Sequence, residues 1–339
     1  MKLVIVGNRD GSNVGGSIER AAKNLGHDIL FLDAFKAMEA PKWIQRLYWH
    51  LFQKRPFRLK QFSWQTLEAC RRFQPECLIT TGTAPVEADV LKRIGELGIK
   101  RLNYSTDDPW NPAHQASWFI RGLKEYDYLF STRKSNLADF KAAGCQAVSY
   151  LPFGYDPELY YPDPAMNEAN KDVSGADITF IGSADSDRLP YIRALVGSGF
   201  RFDLYGSFWD RFKGLRGRSK GQIGMSKMRQ VIAAAKISLC LVRRANRDGH
   251  VMRSFEIPAM RGCMLTEDTV EHREIFGEEG EAVLYFKSVD EMMEKIRRLL
   301  NNPPLRERLS ERAYRIVVEG KNSYQDRLIT MLDLALRAS

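Results

Sequence analysis

Residues 2–33 read KLVIVG, NRDGSNVGG, SIERAAKNLG and HDILFLD in succession. An apolar run, a glycine-rich loop, a helical stretch and a second apolar run predict a β-α-β unit, and continuous apolar runs are typical of parallel strands buried on both faces. Further units follow as CLITTG, EADVLKRIGELG and KRLNYST, and then as EYDYLFST, KSNLADFKAAG and AVSYLPFG. The first half of the chain is therefore predicted to form an open parallel sheet.

The same alternation begins again in the second half. Apolar runs such as DITFIG, RFDLYGS, ISLCLV and EAVLYF alternate with helical stretches, and three amphipathic helices follow, SVDEMMEKIRRLLNN, LRERLSERAYRIVVEG and YQDRLITMLDLALRA. The segment between the halves is rich in Pro, Asp and Gly and has no sustained periodicity, which is typical of a linker.

We therefore predict an α/β fold of two tandem Rossmann-like, doubly wound domains with an interdomain cleft, since such sheets bind ligands at the carboxyl ends of their strands. The predicted limits are 1–155 for the N-terminal domain, 156–175 for the linker and 176–320 for the C-terminal domain. Residues 321–339 are predicted to form a C-terminal helix that packs back on the first domain.

The bulk composition indicates a globular protein with anionic partners. The 339 residues are 44% hydrophobic and 27% charged, and the formal net charge is +9, which favours nucleotides or acidic lipid. No RNA-recognition, zinc-finger or helix-turn-helix signature is present, so nucleic acid is not an expected partner. The five cysteines form no CxxC pair, and no apolar leader or spanning stretch is found, so we expect a cytoplasmic protein.

The stretch RSFEIPAMRGCMLTED, residues 253–268, combines a charged helix start with a strand that ends in hydroxyl and acidic residues. One interpretation is structural, with Ser254 as N-cap, Glu256 in the first turn and Pro258 tolerated there. The functional interpretation is that Glu256 accepts hydrogen bonds from sugar hydroxyls, while Arg253 and the free N–H groups of the helix bind a phosphate.

The residues from 241 to 300, LVRRANRDGHVMRSFEIPAMRGCMLTEDTVEHREIFGEEGEAVLYFKSVDEMMEKIRRLL, resemble the C-terminal domain of CgeB-like (spore maturation protein) glycosyltransferases. The stretches YSTDDPW, YDYLFSTRKSNLADFKAAG, SYLPFGYDPELYYP and TFIGSADSDR resemble the same group, so the resemblance extends over most of the chain from about Asn103 onward. It implies the GT-B fold and a relation to the retaining family-four glycosyltransferases. It also implies that the C-terminal domain binds the nucleotide-sugar donor and that the N-terminal domain faces the acceptor.

The resemblance also implies roles for individual residues. In the retaining relatives two Glu residues stand eight positions apart, and the second binds the ribose of the nucleotide while the first lies beside the donor sugar. Glu256 matches the second, and Asp248, one methylene shorter, occupies the position of the first, with His250 as a neighbour that shares its task. Arg188 matches the basic residue that neutralises the diphosphate. Arg261 departs from the small residue that most members have.

Two adjacent carboxylates, Asp107 and Asp108, directly follow the apolar strand RLNYS. At a strand end they are expected to engage the acceptor or the donor sugar, and the alternative is that they only form a turn and cap the next helix. The predicted catalytic residues are Asp107, Asp108, Asp248 and His250. The predicted substrate-binding residues are Gly15, Gly16, Gly182, Arg188, Arg243, Arg253, Ser254, Phe255 and Glu256.

Two other ligand classes are weaker interpretations. The DSD at residues 185–187 resembles the metal-binding motif of GT-A transferases, but it follows the first strand of a second Rossmann-like domain, so loop solvation or capping is favoured. The loop GNRDGSNVGG is not GxGxxG although Asp33 ends the next strand, and a dehydrogenase is disfavoured because the second domain repeats the same architecture. Neither a metal nor a cofactor beyond the donor substrate is expected.

Residues 42–60 interleave basic and aromatic side chains at helical spacing. This pattern suits an interfacial helix on anionic lipid, and the alternative is an acceptor-side or core-packed helix with a solvated basic face. We predict a glycosyltransferase that moves a sugar from a nucleotide-diphospho-sugar to a cell-surface glycan, lipid-linked or protein acceptor with retention, on the inner face of the cell membrane. The alternative, favoured by the shorter side chain of Asp248, is a non-catalytic nucleotide-sugar-binding protein of surface or spore-coat assembly.

Overall fold

The computed structural model describes residues 1–113, 115–163 and 175–337. The chain divides into two compact units: Met1–Phe153 together with Tyr324–Ser339, and Gly154–Ser323. Most of the predicted linker, 156–175, lies outside the described residues.

The first unit is built on a six-stranded parallel sheet in the order β2-β1-β3-β4-β5-β6. Its strands are β1 (Lys2–Gly7), β2 (Asp28–Asp33), β3 (Cys77–Thr81), β4 (Lys100–Ser105), β5 (Tyr128–Ser131) and β6 (Val148–Tyr150). Its helices are α1 (Val14–Asn24), α2 (Lys42–Leu51), α3 (Leu59–Phe73), α4 (Ala88–Glu96), α5 (Ser117–Ile120), α6 (Leu137–Ala142) and, at the other end of the chain, α13 (Tyr324–Arg337).

The second unit is built on a five-stranded parallel sheet in the order β11-β10-β9-β7-β8. Its strands are β7 (Ile178–Ile181), β8 (Phe202–Tyr205), β9 (Ile237–Cys240), β10 (Met264–Glu267) and β11 (Leu284–Phe286). Its helices are α7 (Leu189–Val196), α8 (Met225–Ala234), α9 (Arg253–Ala259), α10 (Val270–Phe276), α11 (Val289–Leu300) and α12 (Pro303–Val318).

The apolar runs form the central strands because a strand covered by helices on both faces buries almost all of its side chains. In the first unit Val4 of β1 pairs with Leu78 of β3 and both belong to the core. In the second unit Phe180 of β7 pairs with Leu239 of β9 in the corresponding core. The prediction of two parallel-sheet, Rossmann-like α/β units is confirmed.

Each sheet has one point at which the strand order reverses. In the second unit the chain passes from β7 to β8 on one side and then to β9 on the other side of β7. In the first unit the corresponding point lies between β1 and β3. Open α/β sheets bind ligands at the carboxyl ends of the two strands that flank this reversal, so the loops after β7 and β9 are the first place to look for a site.

The basic-aromatic stretch 42–60 is not one continuous helix. Helix α2 ends at Leu51, the backbone then passes through left-handed conformations at Gln53 and Lys54, and α3 begins at Leu59. A non-glycine residue with positive φ interrupts a right-handed helix. Among the described residues no helix is both long and apolar enough to span a bilayer.

Candidate functional site

Two arginines connect the loops at the strand reversal of the second sheet. Arg188 is buried, and its two terminal nitrogens donate to the carbonyl of Ser183, after β7, at 2.9 Å and to the carbonyl of Leu241, after β9, at 3.0 Å. Arg253, the first residue of α9, donates from Nε to the carbonyl of Ile181 at the end of β7, at 3.4 Å. Both guanidinium groups therefore lie where this kind of sheet binds ligands.

Arg188 lies among charged groups of both signs at this edge of the sheet. Burial lowers the pKa of Arg188, and the positive charge of neighbouring Arg243 lowers it further. Two guanidinium groups that repel each other favour the binding of an anion between or beside them. The Nε atom of Arg188 has no hydrogen-bond partner among the described residues.

Glu256 is fully buried in α9. Its carboxylate is in contact with the guanidinium of Arg253, one turn earlier, which is itself partly exposed. Neither carboxylate oxygen accepts a hydrogen bond with acceptable geometry from any described residue. A buried carboxylate with a single cation beside it and no well-formed hydrogen bond is costly to the fold, so Glu256 has oxygens that hydroxyl donors of a ligand can satisfy.

A buried polar chain holds α9 in position. The Nδ1–H of His272 donates to the carbonyl of Glu267 at 2.9 Å, which leaves Nε2 to accept from the hydroxyl of Ser254 at 2.8 Å. The same hydroxyl oxygen accepts from the backbone N–H of Val251 at 3.1 Å. Burial lowers the pKa of His272 to about 4, so the imidazole is neutral as this bonding pattern requires.

The local helix prediction needs two corrections. Helix α9 begins at Arg253 with Met252 before it, so Ser254 is the second helical residue and not the N-cap. The Ser254 hydroxyl is instead used by His272 and Val251, as described above. Pro258 is the sixth residue of this helix rather than a first-turn residue, and the helix ends directly after it at Ala259. The missing N–H of Pro258 leaves the carbonyl of Ser254, four residues earlier, without its usual helical donor.

Asp248 and Arg243 are paired in the loop after β9. The Nε of Arg243 donates to one carboxylate oxygen of Asp248 at 3.3 Å, and the side-chain amide of Asn246 donates to the other at 3.0 Å. The Asp248 side chain is inaccessible to solvent, whereas that of Arg243 is about one-third exposed. The loop bends sharply at Arg247, whose φ is +51°.

His250 is fully buried and bound to a residue that sequence analysis did not single out. Its Nδ1 lies 2.5 Å from a carboxylate oxygen of Glu271 in α10, and because a carboxylate accepts, Nδ1 carries the proton. Phe255 packs edge-to-face on the His250 ring with the centroids 5.6 Å apart. Phe255 is therefore a buried packing residue against the imidazole rather than a side chain on the surface of the site.

Glu267, the last residue of β10, is a second residue of this region that the sequence prediction did not include. It accepts from the N–H of Val242 at 2.7 Å and from Arg244 at 3.1 Å, and burial raises the pKa of its carboxyl group. Glu267 belongs to the Thr-Glu-Asp ending of the strand, which is a sequence signal. Glu271 carries no comparable signal, since an acidic residue in the first turn of a helix is common.

Gly182 follows β7 in a crowded position. A Cβ there would lie 2.9 Å from the Phe180 ring and 3.3 Å from a terminal nitrogen of Arg188. A side chain would therefore push the loop or the arginine away from its carbonyl partners. In the described residues, no group of three or more His, Cys, Asp or Glu side chains is arranged to hold a metal ion.

In the first unit, the predicted Asp108 is part of a turn. It is buried, and its Oδ1 accepts from the N–H of Trp110 at 3.0 Å and from the side-chain amide of Asn136 at 2.8 Å. This is the turn that sequence analysis gave as the alternative. The capping part of that alternative is wrong, because the next helix begins at Ser117 after Ala116. The neighbouring Asp107 is half-buried.

Gly15 and Gly16 form the first turn of α1 against the loop that precedes it. A Cβ on Gly15 would lie 2.8 Å from the carbonyl oxygen of Asn8, and a Cβ on Gly16 would collide with the carbonyl of Arg9. The N–H of Gly16 donates to Asn8 at 3.1 Å. These glycines are required by close backbone packing, and their predicted contact with substrate stays a prediction.

Residues 188–333 match a protein-family model described as Glycosyl transferase-like. Several solved structures resemble the whole chain. Sucrose-phosphate synthase (tll1590) from Thermosynechococcus elongatus has 12% identity over 100% of this chain and 99% of that one, with a TM-score of 0.69. Anabaena Alr3699/HepE in complex with UDP-glucose has 12% identity over 100% of both chains, with a TM-score of 0.68.

The lipopolysaccharide outer core galactosyltransferase WaaB in its apo form also resembles the chain, with 11% identity, 100% and 99% coverage and a TM-score of 0.59. No curated protein matches the chain. At such low identity the structural likeness shows the fold, which is GT-B, and the family match adds the class. The protein is a glycosyltransferase with a GT-B fold.

Proposed function

We propose that the protein transfers a sugar from a nucleotide-diphospho-sugar to a cell-surface glycan, lipid-linked or protein acceptor, with retention of configuration, as a CgeB-like member of its class at the inner face of the cell membrane. The observation that carries the donor part is Glu256, a buried carboxylate whose oxygens accept no hydrogen bond from the described residues. Ribose presents two adjacent hydroxyl donors, which suit the two oxygens of one carboxylate.

The arginines supply the complement for the diphosphate. Arg253 contacts Glu256 and is still partly exposed, so it reaches from the ribose position toward a neighbouring phosphate. Arg188 and Arg243 add positive charge at the same edge, and the absence of a side chain at Gly182 lets the Arg188 guanidinium lie against the loop after β7. In this proposal the diphosphate charge is balanced by guanidinium groups rather than by a metal ion. A structural relative, Alr3699/HepE, was solved in complex with UDP-glucose.

Asp248 and His250 are proposed to lie beside the donor sugar. Asp248 is held by Arg243 and Asn246, and His250 is oriented by Glu271. On the acceptor side, Asp107 and Asp108 are proposed to bind sugar hydroxyls and stabilise charge. A retaining transfer needs no strong base there, whereas an inverting one would require a carboxylate at the acceptor hydroxyl. NMR of the first-formed anomer distinguishes the two.

Nucleotide affinity tests the donor site directly. Glu256→Ala should weaken nucleoside-diphosphate binding by about 1.5–3 kcal/mol, the scale of hydrogen bonds to a charged group. Isothermal titration with UDP, GDP and dTDP, after a thermal-shift screen of the matching nucleotide sugars, measures this. The matched control is Asp177→Ala, because Asp177 precedes β7 at the opposite edge of the same sheet. Equal affinities of wild type and Glu256→Ala would contradict the proposed site.

A non-catalytic nucleotide-sugar-binding protein is the second candidate. It is favoured by Asp248, whose side chain is shorter than the Glu of the relatives. One carboxylate oxygen of Asp248 accepts from Arg243 and the other accepts from Asn246. Hydrolysis of the bound nucleotide sugar in the absence of acceptor separates the candidates, because transferases commonly release sugar to water. A protein that binds the donor and never cleaves it, with or without acceptors, supports the binding role.

A further inference from the structure

The exposed apolar side chains of this protein are concentrated in one place. Seven of the sixteen large hydrophobic residues that are exposed among the described residues lie within 35–57. They are Phe35, Met38, Trp43, Leu47, Leu51, Phe52 and Phe57. Scattered single exposed hydrophobics are normal on a soluble protein, whereas a concentrated group marks an interaction surface. We call helix α2 and the chain that follows it to Lys60 the α2 surface.

Helix α2 presents two adjacent exposed stripes. Trp43, Leu47 and Leu51 are spaced four residues apart on one face and are 68%, 40% and 70% exposed. Lys42, Arg46 and His50 have the same spacing one residue earlier, and they are exposed as well. Side chains four apart lie above each other on a helix. An apolar stripe therefore runs beside a basic stripe, and neither is covered by the rest of its unit.

The charge of the α2 surface has one sign. No Asp or Glu occurs between Glu39 and Glu68, while six Lys and Arg residues do. Two of these cations have acidic partners outside the stretch, Arg55 with Glu87 and Arg58 with Glu39. Lys42, Arg46 and Lys60 form no ion pair with a described residue.

A groove of about 490 Å³ opens on the same surface, lined by aromatic and basic side chains, Tyr48, Phe52, Arg55, Phe57, Arg58 and Lys60. Tyr48 stacks on Phe52 at 4.8 Å and meets Phe57 edge-on at 5.3 Å. Aromatic walls beside guanidinium and ammonium groups suit the boundary between lipid headgroups and acyl chains.

We propose that the α2 surface docks on an anionic lipid bilayer, with the stripe of Trp43, Leu47 and Leu51 inserted below the headgroups and the basic stripe paired with lipid phosphates. The charge decides this occupant over a second copy of the chain, since two identical basic surfaces would repel each other in a symmetric contact. The proposal rests on the membrane location in the proposed function and specifies the surface that makes the contact. It does not depend on the transfer reaction, since the α2 surface includes none of the residues assigned to the donor site.

Flotation with vesicles tests the proposal on the full-length protein. Wild type should bind vesicles of phosphatidylglycerol mixed with phosphatidylcholine and should not bind vesicles of phosphatidylcholine alone, and binding should fall as salt rises. Lys42→Gln with Arg46→Gln should lower the partition coefficient about 30-fold, since two near-surface cations are removed. Leu47→Gln with Leu51→Gln should lower it about tenfold or more through lost apolar insertion.

Matched controls lie elsewhere in the same unit. Lys92→Gln with Lys141→Gln removes the same charge from exposed positions outside the α2 surface, and Leu97→Gln replaces an exposed leucine at the end of α4. These should bind vesicles as wild type does.

Equal binding to neutral and anionic vesicles, or an equal loss in the charge control, would overturn the proposal. Dimerisation or capture of an acidic soluble protein that depends on Trp43, without vesicle binding, would overturn it too. Nucleotide titration of the same variants keeps this result separate from the donor-site test.

Discussion

Each of the two sheets places a buried carboxylate after a strand end, and the surroundings of the two groups are opposite. Asp108, after β4, accepts from a backbone N–H and from the amide of Asn136. Glu256, in the helix after β9, is as deeply buried and accepts no hydrogen bond from the described residues. Burial alone therefore does not mark a ligand site. The difference lies in whether the protein itself satisfies the oxygens.

The largest expected effect comes from removing the satisfied carboxylate. Asp108→Ala should lower the free energy of unfolding by about 3 kcal/mol, because it breaks a turn and leaves the Asn136 amide buried without its acceptor. Asp108→Asn keeps an oxygen acceptor and should cost less than half of that. Urea denaturation followed by circular dichroism measures both. If Asp108→Ala unfolds at the wild-type urea concentration, the turn role is wrong and the comparison with Glu256 fails.

An intermediate effect is expected for the chain that holds α9. The pKa of His272 is lowered to about 4 from its ordinary value of 6.5, so between these values the unfolded chain takes up a proton that the folded protein refuses. Stability is therefore unaffected by this group above pH 6.5 and falls as the pH drops from 6.5 to about 4, at up to about 1.4 kcal/mol per pH unit.

The variant His272→Gln isolates this contribution. It should lose part of the acid-dependent drop in the free energy of unfolding between pH 6.5 and 4, whereas His50→Gln, at an exposed position in α2, should keep the wild-type slope. Denaturation curves at pH 7.5, 5.5 and 4.5 give the slopes. Identical slopes for wild type and His272→Gln would show that a different group titrates.

The smallest expected change in the free energy of unfolding comes from replacing Glu256, the buried carboxylate whose oxygens accept no hydrogen bond from the described residues. Glu256→Met combined with Arg253→Met should leave the free energy of unfolding unchanged or raise it by about 1 kcal/mol, since a buried ion pair is replaced as a whole by apolar side chains. Nucleotide binding should be lost at the same time. A drop of stability comparable to that of Asp108→Ala would make Glu256 a structural residue, and the contrast between the two groups would disappear.

The sequence predicts the two sheets well because strands buried on both faces must be continuously apolar, as in KLVIVG and ISLCLV. It also singles out Glu256 and Arg253, because charged residues near a predicted helix start can be recognised directly in the sequence. The GT-B fold and the glycosyltransferase class are confirmed, whereas the CgeB-like subtype, the acceptor and the residue roles stay predictions.

Hydrogen bonds between residues that are far apart in the chain could not be predicted from local sequence patterns. Glu271 is 21 positions from His250, and His272 is 18 positions from Ser254. His272 is fully buried. Capping rules concern neighbours in the chain, so Ser254 at a helix start was assigned to the cap, and only the fold brings the imidazole of His272 to its hydroxyl. The local rule was overridden by a tertiary hydrogen bond.

Helix α13 belongs to the first unit although it is the last element of the chain. It packs on α1, and Arg327 donates to the carbonyls of Pro152 and Phe153, at 2.9 Å for each. During synthesis on the ribosome, the first unit is therefore without this helix until the whole of the second unit has been translated. During translation there is therefore a stage in which the second unit can complete its core while the first unit still lacks its last helix.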